Sequence, residues 1–133
     1  MGYPVAMDWD TLFAQTSSQI MVPAGETVFR AGEPGSLMYV LIDGSADILV
    51  GDTVVEHAAP GALLGEMALI DEGPRTATVV AVTDCRLISI NVQQFHSLIQ
   101  KAPPFATKVM RVMADRLRVM DRRLLELQTK KNT

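Results

Sequence analysis

Glu66 and Arg75, set on either side of a short acidic turn, are the residues in this chain best placed to do chemistry. Leu63 and Leu64 run into Gly65, which can take backbone angles that a larger residue resists. Glu66 to Leu69 then reads as one helical turn, with its carboxylate near the start, where the helix dipole favours negative charge. A helix start also turns backbone N–H groups outward, and these suit an anion. Gly65 and Ala68 are small enough for a ligand to approach that backbone. Beyond Ile70-Asp71-Glu72-Gly73-Pro74, Arg75 offers a planar, permanently charged fork that suits a phosphate. Glu66 would repel a phosphate, so its place is opposite a hydroxyl of the same ligand. A phosphate beside a sugar hydroxyl describes a nucleotide.

The competing reading of these residues is structural. Gly65 would serve only a turn, and Arg75 would pair with Asp71 or Glu72 at the surface, where isolated ion pairs contribute little.

The run LLGEMALIDEGPRTATVV, residues 63–80, resembles the phosphate-binding cassette of cyclic nucleotide-binding domains, as found in catabolite activator proteins, cyclic-nucleotide-dependent kinases and cyclic-nucleotide-gated channels. The resemblance implies that Glu66 holds the ribose 2′-hydroxyl and that Arg75, with the backbone amides of the short helix, holds the cyclic phosphate. Gly65, Met67, Ala68 and Ala77 would add backbone or wall contacts. Thr76 stands where small or hydroxyl residues occur in the family and leaves the choice between cyclic AMP and cyclic GMP open. Leu64 departs from the phenylalanine often found there, a conservative apolar exchange. The family also implies an eight-stranded β-roll of the jelly-roll kind, flanked by helices, and a last helix that dimerises, caps the ligand, or does both. Met120 or its neighbours would then lie over the base.

Composition narrows the field independently. A chain of 133 residues with 48% hydrophobic content is expected to form a single domain with its own core. No apolar run approaches the ~20 residues that span a bilayer, and the N-terminus lacks the pattern of a secretory signal. One cysteine, Cys85, excludes an internal disulfide and fits a cytoplasmic setting; its expected role is packing. Residues 1–100 carry 3 basic and 12 acidic side chains, whereas residues 101–133 carry 9 basic and 3 acidic. An anion bound by the acidic body must use Arg30, Arg75 or Arg86.

The elements that must position this cassette follow from the punctuation. Met7 to Ala14 suggests a short helix with Asp8 or Asp10 near its start. From Ile20 to Ile90, short apolar runs alternate with Gly, Pro and Asp, the texture of a β-sandwich or roll. Leu37–Ile42 ends at Asp43-Gly44, which reads as a tight hairpin turn. Thr76–Val82 reads as the strand behind the cassette, and Cys85–Ile90 as the last strand. Asn91 suits an N-cap for Val92–Ile99. Pro103 and Pro104 break that helix and open another, expected to run from about Phe105 to about Leu127.

Apolar residues on that last helix, Met113, Leu117, Met120, Leu124 and Leu127, follow a four-three spacing suited to a packing seam. A homodimer or a partner protein is a natural occupant. Its arginines are matched by Asp115, Asp121 and Glu126, which fits a solvated face, so direct DNA binding is not expected. No catalytic or metal-ligating constellation emerges: His57 and His96 are far apart in sequence, and no base is placed beside a nucleophile. The chain is thus expected to be a cyclic nucleotide receptor, with no enzymatic activity and no cofactor beyond cyclic AMP or cyclic GMP as ligand. A roll that serves only as an interaction or dimerisation module is the alternative.

Overall fold

Strand formation follows the alternation of apolar and polar residues. The computed structural model describes residues 18–70 and 73–131, so the helix expected at residues 7–14 lies outside them. The described residues contain eight strands: β1 (Ser18–Val22), β2 (Thr27–Phe29), β3 (Leu37–Asp43), β4 (Ala46–Val50), β5 (Thr53–Ala58), β6 (Leu63–Leu64), β7 (Thr78–Ala81) and β8 (Cys85–Asn91). They form two four-stranded sheets, ordered β1-β8-β3-β6 and β2-β7-β4-β5, antiparallel at every pairing. This is the expected β-roll with flanking helices.

The core cluster joins both sheets, drawing Leu41, Leu64, Cys85 and Leu87 from one and Phe29, Ile48, Val79 and Ala81 from the other. In β4 and β7 the buried residues alternate, as a sheet with one covered face requires. In β3 and β8 that alternation breaks where Val40 pairs with Ile88 and Leu41 with Leu87. All four are buried, so both faces are covered in the middle of these strands.

The turn at Asp43-Gly44 corrects the hairpin expectation. β3 and β4 lie in different sheets, so the chain changes sheet there instead of doubling back. Gly44 has φ +94°, and a Cβ on it would come within 3.0 Å of the Cys85 Cα. The hairpin is one turn later, where Gly51-Asp52 joins β4 to β5 and Val50 pairs with Thr53.

The strand behind the cassette is shorter than the expected Thr76–Val82. Ahead of β7, the Arg75 backbone is still held by the loop between β2 and β3. The Arg75 amide donates to the Glu33 carbonyl and the Gly32 amide to the Arg75 carbonyl, each at 2.8 Å. An isolated bridge between Pro34 and Pro74 extends this clamp.

Helix α1 (Met67–Ile70) is the single cassette turn. Asn91 caps α2 (Val92–Lys101) as expected. The Gln94 amide donates to Asn91 Oδ1 at 2.8 Å, and the Asn91 amide donates to Gln94 Oε1 at 2.9 Å. This reciprocal pair satisfies two orphan donors of the helix start.

By its internal contacts the chain divides into two compact units, one up to Ser97 and one from Leu98. The second unit contains α3 (Pro103–Lys131), a 29-residue helix. It starts two residues earlier than expected because Pro103 and Pro104 fit a first turn. It also runs past Leu127, since Gln128 to Lys131 contains no glycine or proline to stop it. Phe105 and Val109 are buried, whereas Met110, Leu117, Met120, Leu124 and Leu127 are about three-fifths exposed. No described helix is long and apolar enough to cross a membrane.

Candidate functional site

Arg75 is one of only two buried polar or charged residues among those described; the other is Glu66. The other two arginines of the roll are not buried. Arg86 donates to Asp43 at 2.8 Å, and Arg30 is exposed. Arg75 is therefore the buried arginine among the described residues of the roll.

The Arg75 guanidinium donates from Nη2 to the Leu37 carbonyl at 2.7 Å and from Nη1 to the Gly65 carbonyl at 3.4 Å. Its Cζ lies 4.1 Å from the centroid of the Phe29 ring and 6.0 Å from that of Tyr39. Those two rings stack at 6.1 Å and 24°. Burial pulls the guanidinium below its usual pKa, opposed by Tyr39 and Glu33, and it remains a cation at neutral pH.

Two glycines shape this slot. Gly65 takes φ +76°, and a Cβ on it would collide with Arg75 Nη1 and lie 3.2 Å from Phe29. Gly35 has no positive φ, yet a Cβ there would lie 2.6 Å from Arg75 Cζ. Gly65 answers to both backbone angle and space, Gly35 to space alone. The competing surface pairing of Arg75 involves Asp71 and Glu72, which lie outside the described residues.

Glu66 is fully buried and directly follows the carbonyl that Arg75 contacts. Behind it the Ala68 amide donates to the Gly65 carbonyl and the Leu69 amide to the Glu66 carbonyl. Ala68 and Leu69 face inward, while Met67 and Ile70 are exposed. Ala77 is half-buried against the core cluster and Thr76 is exposed. Gly65, Glu66, Met67, Ala68, Arg75, Thr76 and Ala77 all lie in the first unit, where the Arg75 guanidinium meets the Gly65 carbonyl. Met120 lies in the second unit, on α3, and is exposed.

Sequence reasoning missed Phe29, Gly35 and the Leu37 carbonyl. All three lie on β2, on β3 or in the loop between them, and only folding brings them to the cassette. A concavity of about 460 Å³ also opens beside that loop, lined by Gly32, Pro34, Gly35, Ser36, Ala68, Gly73, Pro74 and Val92. Of the expected ligand residues only Ala68 reaches it. Among the described residues no charged side chain lines it. Among the described residues there is no cluster of potential metal ligands.

Known proteins share this sequence pattern and fold. The sequence profile of the family described as "Cyclic nucleotide-binding domain" matches residues 19–102. A CRP-like cAMP-activated global transcriptional regulator of Mycobacterium tuberculosis is 31% identical over 112 residues, covering 79% of this chain and 49% of the regulator. A cyclic nucleotide-gated potassium channel of Mesorhizobium japonicum is 41% identical over 85 residues, covering 64% of this chain and 23% of the channel. The crystal structure of the Thermus thermophilus catabolite activator protein superposes with a TM-score of 0.78 at 29% identity, covering 93% of this chain and 61% of that one. The chain therefore spans about half the length of the regulator it matches, and less of the channel.

Proposed function

The chain belongs to the cyclic nucleotide-binding domain family, and from that membership we propose that it is a receptor module for cyclic AMP or cyclic GMP. The observation that carries the reading is the burial of one carboxylate and one guanidinium, Glu66 and Arg75, on a glycine-shaped cassette. Arg75 and the amides around α1 hold the cyclic phosphate, and Glu66 accepts a hydrogen bond from the ribose 2′-hydroxyl. Gly65, Met67, Ala68 and Ala77 form the wall. Thr76 is exposed and leaves the base preference open, and Met120 is assigned to the base from the family resemblance alone. The module binds without turning its ligand over and works in the cytoplasm.

Its output is a population shift. The ligand favours one arrangement of the cassette, and helices α2 and α3 repack in response, so a helix-borne surface reports occupancy. The exposed series Met110, Leu117, Met120, Leu124 and Leu127 supports a second copy or a partner protein as reader of that surface. The same stripe favours the second reading, a module that assembles without a ligand. Calorimetric titration with cyclic AMP and cyclic GMP, after stripping carried-over ligand by unfolding and refolding, separates the two. Binding at micromolar concentration or tighter supports the receptor, and the affinity ratio gives the base preference. A folded protein that evolves no heat with either nucleotide supports the ligand-independent module.

A further inference from the structure

The receptor reading explains why Arg75 is needed but not what aims it. An arginine has several rotatable bonds, and a ligand that must order such a side chain loses about 0.5–1.5 kcal/mol of affinity. Here the guanidinium is already held on three sides: by the Leu37 and Gly65 carbonyls, by the two glycines, and by an aromatic face. The carbonyls come from the backbone and the glycines only leave space. Glu33 and the more distant Tyr39 ring also attract the cation, but the ring that lies against it is Phe29, at 4.1 Å.

Two independent features aim that ring. The register of β2 against β7 slips between Thr27 and Phe29, and irregularities of this kind re-aim a side chain. Tyr39 then stacks against Phe29 from the neighbouring sheet. Phe29 is 9% exposed, so the ring and the cation meet where water screens little, which strengthens a cation–π contact.

We propose that Phe29 is the positioning residue for Arg75, its π face fixing the guanidinium before any phosphate arrives. The proposal rests on the receptor reading for its link to affinity, but the ring–cation contact exists without a ligand and can be tested alone. Leucine at this site keeps apolar bulk and loses the π face; tyrosine keeps the face.

The test compares the wild type, Phe29→Leu and Phe29→Tyr in two measurements. In the first, ¹⁵N NMR of the ligand-stripped protein follows the Arg75 Nε–H resonance, identified by its loss in Arg75→Lys. The ring current of Phe29 should displace this signal in the wild type and in Phe29→Tyr, and the displacement should vanish in Phe29→Leu. In the second, titration with cyclic AMP and cyclic GMP should show Phe29→Leu binding about twofold to tenfold more weakly, with Phe29→Tyr close to wild type. A resonance that ignores the ring overturns the proposal even if nucleotide binds. So does equal binding by Phe29→Leu and wild type, or a loss in Phe29→Tyr as large as in Phe29→Leu. If wild type binds neither nucleotide, the receptor reading fails, and the NMR comparison still decides whether Phe29 holds the cation.

Discussion

Gly35→Ala should damage ligand binding while leaving the fold nearly intact. The backbone at Gly35 carries no positive φ, so alanine meets no torsional penalty. Its methyl, however, would lie 2.6 Å from Arg75 Cζ, about 0.8 Å short of ordinary van der Waals contact. Overpacking a rigid core costs about 1–3 kcal/mol, but the obstructing atoms here are the end of a flexible arginine, which can swing aside. Replacing glycine also restricts the unfolded chain, worth about 0.4–1 kcal/mol in the opposite direction. The net stability change should stay within about 1 kcal/mol. Binding has no such escape, because the swing breaks the 2.7 Å bond to the Leu37 carbonyl and moves the cation off Phe29. If the phosphate contact is lost with it, affinity falls by about 1.5–3 kcal/mol, the scale of one hydrogen bond to a charged group, or roughly tenfold to a hundredfold. Thermal melts and titrations of the same preparation provide the assay. Wild-type affinity in a folded Gly35→Ala protein would refute the link between the guanidinium's position and ligand capture.

Three further outcomes are expected. Wild type should prefer cyclic AMP over its 2′-deoxy analogue, and Glu66→Ala should abolish that preference in titrations with both; a retained preference would remove Glu66 from the ribose. Asn91→Ala should lower stability by about 0.5–2 kcal/mol, read as a drop in melting temperature, because Oδ1 no longer accepts from the Gln94 amide. Burial pushes the Cys85 thiol above its usual value of 9.0, so the folded state favours the protonated thiol. That stability is fully present below the unfolded-state pKa and is lost as pH rises through it toward the folded-state value. Wild type should therefore lose stability more steeply than Cys85→Ala in melts across alkaline pH, and parallel slopes would contradict the assignment.

The cassette was legible because its signals are local. Gly65 needed a positive φ, Ala68 and Leu69 closed a helical turn, and a carboxylate and an arginine stood at fixed offsets from them. Asn91 was legible for the same reason, since a capping residue and its partner lie within one turn. The change of sheet at Gly44 was hidden because Asp-Gly favours a tight turn without specifying which strand comes next to which. Phe29 was hidden more deeply. On β2 it reads as one more core aromatic, and nothing in its neighbours announces a cation delivered from the distant cassette. The two-residue strand β6 is too short to show any periodicity, and its pairing with β3 at Tyr39 and Val40 emerges only in the folded chain.

The most direct test of the account is calorimetric titration of ligand-stripped wild type and Arg75→Ala with cyclic AMP and with adenosine, which lacks the phosphate. The account predicts that wild type binds cyclic AMP far more tightly than adenosine. In Arg75→Ala the cyclic AMP affinity should fall by about 1.5–3 kcal/mol toward an adenosine affinity that is itself unchanged. Cyclic AMP binding that is indifferent to Arg75, in a protein shown to be folded, would contradict the claim that this buried guanidinium is the phosphate ligand.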